Sequence, residues 1–371
     1  MELSAEDALR LNVLLANKPL AIKIHESSMT LYGLLQDGEA TVKLNPTGRD
    51  EKYLKSVRGF LSEKALGSPG GYPLYLQRWT RQGQMRQDSL EQLLLLGDPT
   101  AVFAVVCAGG LTDELGRRAW WAADEAENAR CMLQTEAIVK GETGKVLAKY
   151  LVDHLAFETE TETMVESVRM ALQPGLLDEQ LRNDLWKKAG RKTAYLLGFL
   201  AATPDDLPEQ QAARADYAHL SDQLVPLVAQ ENRAAKLLLH LLSGKGQTFL
   251  MTAQKILAKP PTQDIVNTTL DVIRYYCAAI RPEDDSGLTI EELEAEAEHY
   301  ISNDVEAVAC LERLPELEKE LQAMRILSGS SYGILRPVLA GSTALGSLMR
   351  KKLQPVMGPY QEQISILTRA C

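Results

Sequence analysis

The 371-residue chain is poor in the residues and runs that usually announce a function. It has five cysteines, Cys107, Cys131, Cys277, Cys310 and Cys371, and no CxxC pair. An odd, widely spaced set argues against a disulfide framework and against a zinc ribbon. Four of them stand in helical, mostly apolar contexts and read as small buried hydrophobes. Histidines are equally few and scattered, and no GxSxG is present, so no nucleophilic triad is legible. His25 reads as a surface or edge residue, and His154 and His240 as partly buried and hydrogen-bonded. The longest apolar runs are 195–202 and 237–242, far short of the ~20 residues a membrane helix needs. No basic segment leads into an apolar one at the start, so no signal peptide is expected. A reducing cytoplasm is the expected compartment.

Glycine-rich stretches do not amount to phosphate loops. Gly67–Gly71 is not GxGxxG. Gly141-Glu-Thr-Gly-Lys145 places two residues between its glycines where a phosphate loop needs four, and Val146 follows the lysine where a hydroxyl is needed to hold magnesium. Ser243–Thr248 has no preceding strand and reads as a turn between helices. Asp216-x-x-His219 and Glu296-x-x-His299 each put a carboxylate and an imidazole one helical turn apart, with Glu231 as a third candidate ligand. A di-iron bundle needs two Glu-x-x-His pairs and two further glutamates. These residues therefore read as surface positions. No metal or other cofactor is expected.

Periodicity supplies most of what can be read. Residues 3–17 predict an amphipathic helix with Leu9, Val13 and Leu14 on one face, stopped by Pro19. Alternation over Ala21–His25, Met29–Tyr32 and Ala40–Leu44, with turns at 26–28 and 36–38, predicts a three-stranded meander. A helix near 50–62 follows. From residue 87 the pattern is helical almost throughout. The fold class is therefore mainly α: a small N-terminal α/β domain over 1–86, then an irregular helical array of the HEAT or TPR kind over 87–203 and 209–371, with 203–208 as linker. The junctions Gly110–Leu115 and Gly175–Leu181 resemble each other and suggest a repeat. Thr289 and Glu292 form a capping box. Helices are expected at 334–352 and 359–369. Trp120-Trp121 reads as a core and interface anchor.

The net charge of -10 is local. Residues 282–320 carry fourteen Asp/Glu against Arg313 and Lys319, and the rest of the chain is slightly basic. Such a patch suits docking of a basic partner through Glu291, Glu292, Glu294, Glu296 and Glu298. It is also what solvated faces of surface helices look like, and it is able to pair with the basic stretch 321–371. Residues 46–86 are basic, and Arg78, Trp79, Arg81 and Arg86 interleave cations with an aromatic, as nucleic-acid surfaces do. Cys371, beside Arg369, is a candidate sulfur-accepting thiol.

Five strings together resemble the DsrS family of sulfur-oxidation accessory proteins. They are Asp7–Asn17, Gly67–Pro73 with Arg78–Arg81, Leu90–Pro99, Leu111–Trp121 and Glu127–Arg130. The resemblance is clearest over residues 1–200. It implies a cytoplasmic protein of sulfur-oxidising bacteria, encoded with reverse-acting sulfite reductase and its sulfur carriers. It brings no catalytic motif and no cofactor. The expectation is a non-enzymatic interaction protein whose partners are other proteins of that pathway. A nucleic-acid-binding regulator and a Cys371 sulfur carrier are the alternatives, and no membrane partner is expected.

Overall fold

The computed structural model describes residues 3–67, 87–281, 287–342 and 344–369. The fold is mainly α, with one small antiparallel sheet near the N-terminus. It separates into two compact units, one of residues 1–156 with 173–177, the other of 157–172 with 178–371. The unit boundary thus lies near 156, whereas composition alone pointed to 86 and 203.

The first unit begins with α1 (Ala5–Ala16), capped by Ser4, whose hydroxyl accepts from Asp7 N–H. Strands β1 (Ala21–His25), β2 (Thr30–Leu35) and β3 (Gly38–Lys43) form the expected meander in the order β1-β2-β3. Helix α2 (Asp50–Leu66) completes a core of Leu11, Leu14, Ile22, Leu31, Val42, Tyr53, Leu54, Val57 and Leu61. The buried face of α1 differs from the expected one. Leu11 and Leu14 point inward, while Leu9 is 65% and Val13 56% exposed. Asp7 explains the rotation. Its buried carboxylate accepts the Asn45 N–H at 2.8 Å and the Tyr53 hydroxyl, and Arg10 lies 3.6 Å away. A buried carboxylate must be satisfied in this way, so Asp7 and Leu11, one turn apart, define the inward side.

Among the described residues six helices follow in this unit: α3 (Gln87–Leu93), α4 (Pro99–Val106), α5 (Asp113–Ala122), α6 (Ala126–Met132), α7 (Glu136–Val139) and α8 (Glu142–His154). Their lengths obey no even period. The two similar junctions also cap differently. Thr112 caps α5 by accepting from Leu115 N–H, whereas Asp178 itself caps the helix after it. Helix α5 packs against β1. Trp121 donates its indole N–H to Glu39 at 2.6 Å, and the Lys23 ammonium sits 4.3 Å from the Trp121 ring centre. Trp120 meets Tyr150 edge-on. Both tryptophans therefore anchor one element on another, as expected, but each is half-buried and neither lies in the core.

Cys107 and Cys131, expected to be buried apolar residues, are instead joined by a disulfide with their Cα atoms 5.8 Å apart. Cys107 caps the end of α4, and Cys131 lies in the last turn of α6. Packing of α4 on α6 brings together two cysteines that no local pattern links.

The regular elements among the described residues of the second unit are helices: α9 (Thr161–Ala171), α10 (Glu179–Ala189), α11 (Thr193–Ala202), α12 (Tyr217–Ala229), α13 (Arg233–Leu242), α14 (Gly244–Ala258), α15 (Gln263–Tyr276), α16 (Ile290–Asn303), α17 (Val305–Arg313), α18 (Glu318–Ser328), α19 (Tyr332–Leu339) and α20 (Gly346–Thr368). Helix α11 is apolar on every side, and Ala194–Leu200 are all buried, as a central helix requires. It packs against α9, α10, α14 and α15.

The C-terminal helices are divided differently from the expectation. The chain breaks after Leu339, where Gly341 takes a left-handed φ of 71°, and α20 then runs unbroken through Pro355 and Pro359. Those prolines are one turn apart and both exposed, so the carbonyls they leave unbonded can reach water. Leu353, Val356, Met357, Tyr360, Ile364 and Leu367 hold the opposite face in the core. No described helix is long and apolar enough to cross a membrane.

Candidate functional site

Helix α16 carries the five glutamates of the acidic stretch. It starts as expected, with Thr289 and Glu292 in a reciprocal capping box, Glu292 accepting the Thr289 N–H at 2.8 Å. Ile290, Leu293, Ala297, Tyr300 and Ile301 face inward. That leaves Glu291 and Glu298 exposed and Glu294 half-buried along the outer side. Spacings of three and four residues make these three carboxylates neighbours along one stripe. Among the described residues none of them forms an ion pair. Six carboxylates on other helices are paired within their own helix or its cap. Glu114, Glu136, Glu142, Asp153, Glu166 and Asp184 each pair with a lysine or arginine three or four residues away.

Glu296, on the same helix, has another role. It accepts from Arg281 at 2.6 Å and from Arg325 Nε at 2.8 Å, and a second Arg325 nitrogen also reaches it. Both arginines are buried residues. Arg281 further donates to Ser328, and Arg325 to the Ile280 carbonyl. Burial on its own would raise the Glu296 carboxyl. The Arg325 hydrogen bond and the charges of both arginines outweigh that and hold it below the usual glutamate range. Glu296 is therefore an internal counter-ion and not a free docking group. Arg325 belongs to the basic stretch 321–371, so the two oppositely charged stretches meet inside the unit at this point. A second internal cluster is built on Arg214, which donates to Asp216 at 2.7 Å and to the buried Glu320 at 3.0 Å.

A cleft of about 310 Å³ in the same unit brings together residues that no sequence pattern connects: Asp205, His240, Tyr275 and Tyr276, against Leu200 and Val272. His240 Nε2 lies 2.9 Å from Asp205 Oδ1, and Tyr276 donates its hydroxyl to that same oxygen at 2.6 Å. Burial first, then hydrogen bonding to Asp205, raises the Tyr276 hydroxyl far above its ordinary range, so it stays a donor. The imidazole is oriented by a carboxylate, which is the arrangement that fixes a histidine tautomer. His240 is thus partly buried and hydrogen-bonded, as expected. The same holds for His154, whose Nδ1 meets the Tyr150 carbonyl at 3.0 Å. His25 is exposed on β1.

The remaining sequence candidates resolve individually. The Gly141–Lys145 stretch opens α8, and its N-terminus is already filled by a carboxylate. Asp113 accepts the Thr143 N–H at 3.1 Å, and a Cβ at Gly141 would fall 2.1 Å from Asp113 Oδ1. The Asp113 carboxylate occupies the Thr143 amide and would repel a phosphate at this helix start. Ser243 caps α14 in a turn between helices, as expected. The carboxylates once paired with histidines are committed to cations, Asp216 to Arg214, Glu296 to Arg281 and Arg325, and Glu231 to Lys236. No cluster of three metal-ligating side chains occurs among the described residues. Arg78, Trp79, Arg81, Arg86 and Cys371 lie outside the described residues.

Comparison with protein-family models, with curated proteins and with solved structures returns no match.

Proposed function

We propose that the chain is a non-enzymatic accessory protein that holds a basic protein partner on the outer side of α16, in the cytoplasm, in support of sulfur oxidation. The uncompensated stripe of Glu291, Glu294 and Glu298 carries this reading. Like charges three and four residues apart destabilise a helix by a few tenths of a kcal/mol per pair, at about 0.2–0.5. Glu114, Glu136, Glu142, Asp153, Glu166 and Asp184, on other helices, are relieved of this cost by a cation three or four residues away. A partner presenting lysines or arginines would relieve it here, and it would gain affinity and encounter rate from the field of the stripe. We take the partner to be a sulfite-reductase or sulfur-carrier subunit, as the sequence resemblance to the DsrS family implies.

The test is a native pull-down from sulfur-oxidising cells with the wild-type chain and the E291Q/E294Q/E298Q variant. It is run at about 0.01 M ionic strength, where the Debye length is about 30 Å, and repeated at about 0.1 M. The wild type is expected to retain sulfite-reductase or carrier subunits at low salt, and the variant to lose them. Equal recovery by the variant removes α16 as the docking face. Enrichment of RNA with no protein removes the accessory reading in favour of a nucleic-acid regulator.

A further inference from the structure

The described cysteines fall into two environments. Cys277 and Cys310 are free and buried. Burial pushes the Cys277 thiol up to about 12. Burial, with the Glu306 and Asp304 carboxylates adding to it, pushes Cys310 up to about 11. Near neutral pH neither holds appreciable thiolate, the form that attacks and exchanges. Cys107 and Cys131 are different. They are bonded to each other, Cys107 is exposed, and Cys131 is only half-buried. Their Cα separation of 5.8 Å lies in the ordinary range for a disulfide. The cysteine chemistry of the described structure is therefore concentrated at one pair on the surface of the first unit.

We propose that Cys107–Cys131 is a thiol-exchange site for small-molecule thiols of the glutathione class, entered at the Cys107 sulfur. A thiolate RS⁻ attacks Cys107 Sγ. The Cys107–Cys131 bond breaks, Cys131 leaves as thiolate and takes a proton from water, and Cys107–S–S–R forms. A second RS⁻ attacks the sulfur of the R group, releasing RSSR and the Cys107 thiolate. Two thiols are thereby oxidised to one disulfide and the protein pair gains two electrons and two protons. Exposure selects Cys107 as the point of entry, because the incoming sulfur needs an open approach. Both sulfurs sit at helix C-termini, Cys107 as the cap of α4 and Cys131 in the last turn of α6. The partial negative charge there disfavours thiolate, which favours the bonded form over the open pair. The bond closes a loop containing α5, the helix that holds Trp121 against Glu39 and Lys23. Exchange at this pair would therefore loosen the seat of α5 on the sheet. The proposal does not depend on partner docking at α16.

The experiment uses the full-length chain with Cys371→Ser, kept native in buffers from oxidised to reduced glutathione. It is quenched with N-ethylmaleimide and read by peptide mass. The peptides of Cys107 and Cys131 are expected to pass together from cross-linked to doubly alkylated. Cys277 and Cys310 should stay unlabelled until the chain is denatured. With Cys131→Ser added, a glutathione adduct should build on Cys107, to a higher level than on Cys131 in the matching Cys107→Ser chain. Two free thiols in oxidised glutathione, or a cross-link that survives excess reduced glutathione, overturns the proposal. Equal adducts on the two single-cysteine chains overturn entry at Cys107.

Discussion

Replacing Glu296 by Gln separates an internal counter-ion from a surface charge on the same helix. The carboxylate binds two guanidinium groups whose side chains are 4% and 10% exposed, and is itself 29% exposed. Removing one member of a fully buried pair costs about 3–5 kcal/mol, because the partner is left charged in a poor solvent. An exposed pair is worth about 0–1 kcal/mol. With both arginines buried and the carboxylate one-third open, the cost should be about 3 kcal/mol, toward the buried limit. The amide keeps one acceptor oxygen but turns its N–H₂ toward the other guanidinium, so the charge and part of the hydrogen bonding are lost together. For a unit of this size each kcal/mol shifts Tm by about 2–4 °C, giving a drop of about 6–12 °C. Glu298→Gln, two residues away and exposed, should stay within about 0.5 kcal/mol. Acidity provides a second check. The folded carboxyl lies below its unfolded value, so its stabilisation is present above the unfolded glutamate value of about 4.3 and is lost as pH falls through the folded value. The gap between wild type and Glu296→Gln should be flat around neutrality and close on acidification. Circular dichroism melts over a pH series measure both effects. A Glu296→Gln loss no larger than that of Glu298→Gln, or a gap that ignores pH, would refute the counter-ion role.

Further outcomes follow from the same structure. Leu11→Ala should cost about 2–5 kcal/mol as a buried cavity, while Leu9→Lys should be nearly neutral; urea titration distinguishes them, and the reverse order would restore the face read from periodicity. Reducing the Cys107–Cys131 bond should lower stability by about 3.5 kcal/mol on chain-entropy grounds for a loop of this length, visible as a lower urea midpoint in dithiothreitol that Cys131→Ser abolishes. Gly141→Ala should displace the Asp113 carboxylate from the start of α8 and cost about 1–2 kcal/mol, the worth of a helix cap, whereas Gly110→Ala, whose Cβ would meet only Leu90 Cδ1 at 3.9 Å, should cost less in the same melt. Tyr276→Phe should cost about 1 kcal/mol for its hydrogen bond to Asp205, and an unchanged melting curve would show that the hydroxyl does not hold the cleft together.

The meander was readable because alternation at period two has few competing explanations. The cap of α16 was readable because a serine or threonine oxygen must sit a fixed three residues before the amide it serves. The face of α1 was misjudged for a different reason. Leu9, Val13 and Leu14 are a legitimate apolar stripe, but Asp7 finds Asn45 and Tyr53 some forty residues on, and satisfying one buried carboxylate outweighs exposing two aliphatic side chains. The C-terminal break was shifted because a proline is a stop signal only where its carbonyl partner is denied water, and exposure is not written in local sequence.

The candidate site divides along the same line. The chain by itself determined the fold class, the meander, the position of the acidic helix and its capping box, since these depend on near neighbours. Only tertiary structure decided that Glu296 is consumed by Arg281 and Arg325 while Glu291, Glu294 and Glu298 are left open. It alone joined Cys107 to Cys131 and gathered Asp205, His240 and Tyr276 around one oxygen. Charge pairing, sulfur bonding and hydrogen bonding act over a few ångströms in space, and residues that close are separated here by 15 to 71 positions of chain.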